Sequence, residues 1–239
     1  MADRFVGVVG GAGTIGQAIV RRYAALPNTN VLVIDRHNFP AAKNYHNVEH
    51  CKVDVTQART IADLAERLKK RGIAIAHLIS LAGGSLADEW GDLATVPDQT
   101  LQDSITLNLT SHVWLTKHLM KGDLPGDRSI IFISSINARS SYGLTAYSAA
   151  KAGLLGLTRE LAGSLAPKIR VNAITPGTIV TERTSRQPKK FAELKRKTLL
   201  RRFAEPRDIA AAAYFLTDLT TNITGAEIVV DAGQSLSTK

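Results

Sequence analysis

The sequence predicts a doubly wound α/β domain built on a parallel sheet of about seven strands. Three observations carry that expectation. Strand-like and helix-like segments alternate from one end of the 239-residue chain to the other, the pattern of βαβ units. No Pro/Gly-rich linker and no internal repeat interrupts them. Glycine, acidic and hydroxyl residues stand directly after successive strands, where folds of this class hold their ligands.

Composition narrows the class. Hydrophobic residues make up 44% and charged residues 21%, ordinary for a soluble globular protein and unlike a disordered one. The length suits one domain, residues 1–239, with a sizeable core. The single cysteine, Cys51, excludes an internal disulfide and suits a reducing compartment. Phe5 to Val9 is too short for a signal peptide, and Ile209 to Leu216 is too short to span a bilayer. A cytoplasmic protein is the expectation. The net charge of +9 and pI near 9.8 fit solubility, attraction of an anionic cofactor or substrate, or nucleic-acid binding. Against the last stand the lack of zinc spacing and of a helix-turn-helix pattern, and few aromatics for stacking bases. No metal is expected.

In chain order, Phe5 to Val9 reads as a buried strand running into Gly10-Gly11-Ala12-Gly13-Thr14-Ile15-Gly16, and Gln17 to Leu26 has helical spacing. Gly11, Gly13 and Gly16 fit GxGxxG between a strand and a helix, where backbone N–H groups can hold a pyrophosphate. A second strand, Val31 to Ile34, ends at Asp35. An acid at this distance suits ribose hydroxyls and repels a 2′-phosphate, favouring NAD over NADP, although the Arg36 guanidinium could pair with such a phosphate. A third strand, Val48 to Val53, leads into Asp54-Val55-Thr56, an adenine-side loop, and Thr60 to Arg71 is an amphipathic helix. The fourth strand, Ala76 to Leu81, meets Ala82-Gly83-Gly84, a second glycine turn able to pass under the cofactor. Ser85 to Asp98, with Trp90, reads as polar, irregular surface loop. Leu101 to Met120 reads as one long helix. Asn108 in its middle is a poor helix former, which marks either an exposed residue or a distorted turn whose freed backbone and amide hold a water.

The stretch Ser134 to Lys151 carries the chemistry. It follows the strand Ser129 to Ile133 and enters an Ala-, Leu- and Gly-rich helix running past Leu161 to Leu165. Tyr147 and Lys151, four apart, share one face of that helix. A nearby ammonium favours the phenolate, lowering the phenol from roughly 10 toward the operating pH. Such a group can take a proton from an alcohol or return one to a ketone, with a hydroxyl of Ser134 or Ser135 holding the reacting oxygen. Further on, Ile169 to Ile174 is a strand before the sharp Pro176-Gly177 turn and Thr181. Glu182 to Arg202 is strongly basic, with Arg183, Arg186, Lys189, Lys190, Lys195, Arg196, Lys197, Arg201 and Arg202, and reads as a substrate lid. Pro206 and Asp208 open another helix, and Ile228 to Val230 is the last strand, before Asp231-Ala232-Gly233.

This ordered set resembles the short-chain dehydrogenase/reductase family over nearly the whole chain. The matching pieces are the glycine loop Gly10 to Gly16, Asp54, Ala82-Gly83, Asn108, Ser135, Tyr147-x-x-x-Lys151, Pro176-Gly177 with Thr181, Thr224-Gly225 and Asp231-Ala232-Gly233. The resemblance implies a Rossmann-type sheet, hydride transfer between a nicotinamide and an alcohol or ketone, and dimers or tetramers built through long helices. By the same resemblance Tyr147 is the general acid/base, Lys151 lowers its pKa and holds the nicotinamide ribose, and Ser135 orients the substrate oxygen. Asn108 holds a relay water, and Thr181 with the backbone of Ile179 fixes the carboxamide. Thr14 stands where a glycine is common, although Gly10, Gly13 and Gly16 keep the spacing of a related branch. Ser80-Leu81 replaces a pair of asparagines, and Ala232 replaces a glycine. Ser134 restores the commonest serine-to-tyrosine spacing, whereas Ser135 is the second of a pair, the usual catalytic one.

The expected activity is therefore an NAD(P)-dependent interconversion of a secondary alcohol and a ketone on a small-molecule substrate. Two alternatives are a non-catalytic dinucleotide-binding redox sensor, which has no need of Asn108, Ser135, Tyr147 and Lys151 together, and a 3-oxoacyl reductase acting on an acidic carrier docked at the basic segment.

Overall fold

A computed structural model describes residues 4–122, 124–140, 143–181 and 188–237. The β-branched runs of the sequence form seven parallel strands: β1 (Arg4–Val9), β2 (Thr29–Asp35), β3 (Val48–Lys52), β4 (Ile75–Ser80), β5 (Ser129–Ile133), β6 (Arg170–Pro176) and β7 (Glu227–Val230). They lie in the order β3-β2-β1-β4-β5-β6-β7, every neighbouring pair parallel. The order reverses between β1 and β4, which opens a crevice beyond their carboxyl ends.

Helices cover both faces, as the absence of polar alternation in the strands requires. Val6, Val8, Val31 and Val33 project to one side, against Ile19, Val20 and Tyr23 of α1 (Thr14–Ala24) and Ile209 and Ala213 of α7 (Pro206–Tyr214). Val9, Leu32 and Ile34 project to the other. There they meet Ile61 and Leu64 of α2 (Ala58–Lys70), Leu115 of α4 (Ser111–Leu119) and Leu154 of α5 (Thr145–Ser164). This is the doubly wound, Rossmann-type arrangement.

Element ends differ from the sequence reading where backbone geometry outweighs side-chain pattern. Helix α1 begins at Thr14, not Gln17, because Gly13 is already its N-cap and the Gln17 N–H donates to the Gly13 carbonyl. Strand β6 runs through Pro176, since Gly177 N–H reaches the Val230 carbonyl and prolongs the pairing. The helix expected over residues 101–120 is divided. Asp98–Ile105 (α3) passes into a wide π turn, Thr106–Thr110, before α4, and Asn108 sits buried inside that turn. The stretch read as an irregular surface loop contains two 3-10 turns, Ala87–Glu89 and Leu93–Thr95, and its Glu89 is buried.

Part of the basic segment is helical, α6 (Pro188–Lys197), with Lys189, Lys195, Arg196, Lys197, Arg201 and Arg202 exposed. Arg183 and Arg186, the side chain of Lys190, and Tyr142 lie outside the described residues. Among the described residues no helix is long and apolar enough to cross a membrane.

The tightest packing constraint is at the first glycine turn. A Cβ on Gly16 would lie 2.3 Å from the Gly10 carbonyl oxygen and 2.5 Å from the Gly11 Cα, all backbone that cannot yield. Gly16→Ala is therefore expected to destabilise the protein by about 1–3 kcal/mol through overpacking. Thermal unfolding checks this, and an unchanged Tm would show that the turn is looser than described.

Candidate active site

The crevice at the strand reversal is a cleft of about 350 Å³. Gly10, Gly13, Thr14 and Ile15 form one wall, Asp35, Arg36, Asp54 and Val55 line the far end, and Ala82, Gly83 and Thr181 close the near side. Leu107, from the π turn, also lines it and was not anticipated. Gly11 and Gly16 lie beneath this surface, where they shape the turn, and Ile179 is buried in the core. Pro176 ends β6, and the Gln234 side chain beside it clamps Thr178, accepting from its N–H at 2.8 Å and donating to its hydroxyl at 3.1 Å.

The donor set fits a dinucleotide. The first turn of α1 has neither a side-chain cap nor an acidic residue, so its orphan N–H groups and positive dipole end are open to an anion. The Asp35 carboxylate accepts from Ala12 N–H at 3.0 Å and from His37 N–H at 2.9 Å. These bonds tie the glycine loop to the end of β2 and leave the acid at the cleft. Asp54 caps its own turn, accepting from Thr56 N–H at 3.0 Å.

At the Gly83 side of the cleft, Asn108, Lys151 and Tyr147 come close together. Lys151 is buried, and its Nζ donates to the Ile133 carbonyl at 2.9 Å and stands 5.7 Å from the centre of the half-buried Tyr147 ring. Burial lowers the Lys151 ammonium to about 8, so it stays a cation at neutral pH. Gly83, with φ near +150°, leaves room for this group. A Cβ there would come within 2.5 Å of Asn108 Oδ1 and 3.2 Å of Lys151 Nζ.

The two serines separate clearly. Ser134 is buried and donates to the Lys151 carbonyl at 2.8 Å, so its hydroxyl fastens the helix to β5. Ser135 is half-buried, and its hydroxyl makes only a local contact, donating to Asn137 Oδ1 at 3.1 Å and accepting from Asn137 N–H. That favours Ser135 as the group facing a substrate.

Asn108 corrects one expectation. Its Oδ1 accepts from Gly84 N–H at 2.9 Å, and its Nδ2 donates to the carbonyls of Gly84 and Ser104, each at 3.0 Å. The amide grips the second glycine turn. With both Nδ2 hydrogens used inside the protein, the amide nitrogen is not free to hold a water.

His112 and Ser80 brace the start of the second glycine turn from within the protein. The His112 Nε2 sits 3.0 Å from the Ala82 carbonyl and its Nδ1 2.7 Å from Ser80 Oγ. A carbonyl can only accept, so Nε2 carries the proton and Nδ1 accepts from the serine. Burial, with the Lys151 charge behind it, pushes this imidazole down to about 3. Spacing alone did not reveal it, because a histidine among helix residues has no diagnostic neighbour in sequence.

Among known proteins, the profile described as enoyl-(acyl carrier protein) reductase matches residues 10–235. The chain belongs to the short-chain dehydrogenase/reductase family, whose members are oxidoreductases that use NAD(P), act typically on small molecules and are oligomeric. Protein FixR of Bradyrhizobium diazoefficiens is 34% identical over 199 residues, 80% of this chain and 71% of the relative. A short-chain dehydrogenase/reductase family oxidoreductase from Burkholderia thailandensis superposes with a TM-score of 0.85 at 30% identity, covering 100% of this chain and 95% of the other. A short-chain dehydrogenase from Leptospira borgpetersenii with bound NAD+ gives 0.86 at 25% identity, covering 98% and 94%.

The two buried neutral histidines predict acid sensitivity. Burial also lowers His77, to about 4, where it meets Ser129 Oγ at 2.9 Å. Unfolded, both imidazoles titrate near ~6.5, so between that pH and the folded values the unfolded chain binds more protons. Their contribution to stability is complete above about pH 6.5 and falls on acidification by about 1.4 kcal/mol per unit for each. Chemical denaturation between about pH 7 and pH 5 should show this slope. His112→Gln, which keeps a donor and an acceptor, should roughly halve it, and a flat wild-type profile would contradict the assignment.

Proposed function

We propose that this protein is an NAD(H)-dependent oxidoreductase interconverting a secondary alcohol and its ketone. The observation that supports it most is that Gly83, which lines the cleft, is packed against Asn108 Oδ1 and Lys151 Nζ, with the Tyr147 ring beside that lysine. The NAD+ bound by the Leptospira relative agrees. The nicotinamide, when bound, supplies or accepts the hydride.

The chain supplies position and the proton. The Tyr147 hydroxyl gives a proton to the substrate oxygen during reduction and takes it back during oxidation. The Lys151 ammonium, little screened because it is buried, stabilises the phenolate left behind and holds the ribose. The Ser135 hydroxyl orients the substrate oxygen. Thr181 and the Ile179 backbone fix the carboxamide, and the wide turn at Asn108 holds the water that returns protons from solvent. Asp35 takes the adenosine ribose hydroxyls and disfavours a 2′-phosphate. Arg36 and His37, paired at 3.3 Å, flank it at the same end of the cleft.

The reading extends to a cytoplasmic homo-oligomer. Val113 of α4 and Met120 just after it, with Leu157 and Leu161 of α5, line an apolar groove of about 340 Å³, and Gly156 and Gly163 of α5 face open space. A second copy could pack its own long helices there.

A panel of alcohols and ketones with NAD(H) and NADP(H), followed at the nicotinamide absorbance band, tests the activity. Tyr147→Phe should lower kcat by at least ~10²-fold and leave cofactor affinity nearly intact; near-normal turnover removes the proposed base. Asp35→Ala should weaken NAD far more than NADP, and an equal loss for both would undo the ribose argument.

A further inference from the structure

The structure assigns a positioning role to Glu89, a residue of the loop after β4. Its carboxylate is 2% exposed and lies against the helix that carries Tyr147 and Lys151. One oxygen, Oε1, accepts from the Tyr147 backbone N–H. The other, Oε2, accepts from Ser104 Oγ at 3.0 Å and from Leu86 N–H at 3.3 Å.

Helix α5 explains why an acid stands there. It is 20 residues long, its N-cap is Leu144, and its first turn contains no acidic residue and no side-chain cap of its own. The N–H groups of that turn are orphans, and the dipole end they form favours a negative group. Glu89 supplies that group from another element, at the third residue of the helix, which is Tyr147 itself. A charge-assisted bond of this kind is among the stronger hydrogen bonds, and a buried carboxylate has little freedom to leave it.

The same carboxylate reaches the rest of the machinery. Ser104, which donates to Oε2, accepts at its carbonyl from Asn108 Nδ2 at 3.0 Å, and Asn108 Oδ1 accepts from Gly84 N–H. One unbroken chain of hydrogen bonds therefore runs from Tyr147 through Glu89, Ser104 and Asn108 to the second glycine turn. We infer that Glu89 sets the distance between the acid/base helix and the turn under the cofactor. It acts through the Tyr147 backbone and through Ser104, not on the substrate. This inference rests on Tyr147 being the acid/base.

The test compares wild type, Glu89→Gln, Ser104→Ala and Tyr147→Phe. Readouts are kcat and KM on the best substrate of the panel, NADH affinity by fluorescence, and exchange of the Tyr147 amide proton in the cofactor-free protein. Glu89→Gln keeps the shape and removes the charge. Its kcat is expected to fall about ten- to hundredfold, the cost of a small misplacement of a reacting group, with NADH affinity within about threefold and faster Tyr147 amide exchange. Ser104→Ala should lose a smaller part of kcat and keep the amide protected. A Glu89→Gln protein with wild-type kcat and wild-type amide exchange would overturn the proposal, and so would one whose only change is a lower Tm. If Glu89→Gln does not fold, Ser104→Ala decides: lost kcat at unchanged NADH affinity supports the chain of bonds, and wild-type kcat overturns it. Full turnover in Tyr147→Phe would strike the acid/base reading separately, while Tyr147 amide exchange still shows whether Glu89 holds this helix end.

Discussion

A buried ammonium is the constraint around which the site is built. Lys151 has lost nearly all its water, and burial lowers it to about 8. Its Nζ donates to the Ile133 carbonyl at the end of β5. Everything close to it must then be small, neutral or electron-rich. Gly83 is small, Asn108 turns a carbonyl oxygen to the same space, and His112 is kept uncharged, partly by the lysine itself. A second cation there would meet little screening, since the local dielectric is far below that of water.

The strand order decides where this charge can be useful. Because the sheet reverses between β1 and β4, the turns that follow these two strands open on the same crevice. One turn offers the uncapped first turn of α1, and the other passes next to Lys151. Asp35, one strand away, is bound to the first turn through Ala12 N–H. The crevice thus offers open N–H donors at one turn, an acid at one end and the Lys151 ammonium behind Gly83 at the other. The family to which the chain belongs uses NAD(P), in keeping with that layout.

Much of this is legible in the residues, for definite reasons. Apolar β-branched runs flanked by glycine are hard to place anywhere but in buried parallel strands, and all seven expected strands occur, Ser129–Ile133 with its expected ends and the others with one or both ends shifted. Asn108 betrays itself because asparagine disfavours a helix interior, and the helix does widen there. Other features leave no trace in local pattern. Ser134 and Ser135 carry the same hydroxyl, and only the pleat of the chain sends one toward Lys151 and the other toward Asn137. Glu89, between Asp88 and Trp90, reads as a solvated acid. Its partner, the bare N-terminus of α5, lies 58 residues away. The readable signal was on the helix: twenty residues headed by leucine, with no acid in the first turn, need a cap from elsewhere.

The account stands or falls on where a nicotinamide ring comes to rest. A crystal structure of the protein with NAD(H) should place the pyrophosphate on the N–H groups of the first turn of α1. It should bring the nicotinamide ribose within hydrogen-bonding reach of both the Tyr147 hydroxyl and Lys151 Nζ. A cofactor seated in the cleft with its ring directed away from these two groups, or Lys151 swung out to solvent, would contradict it.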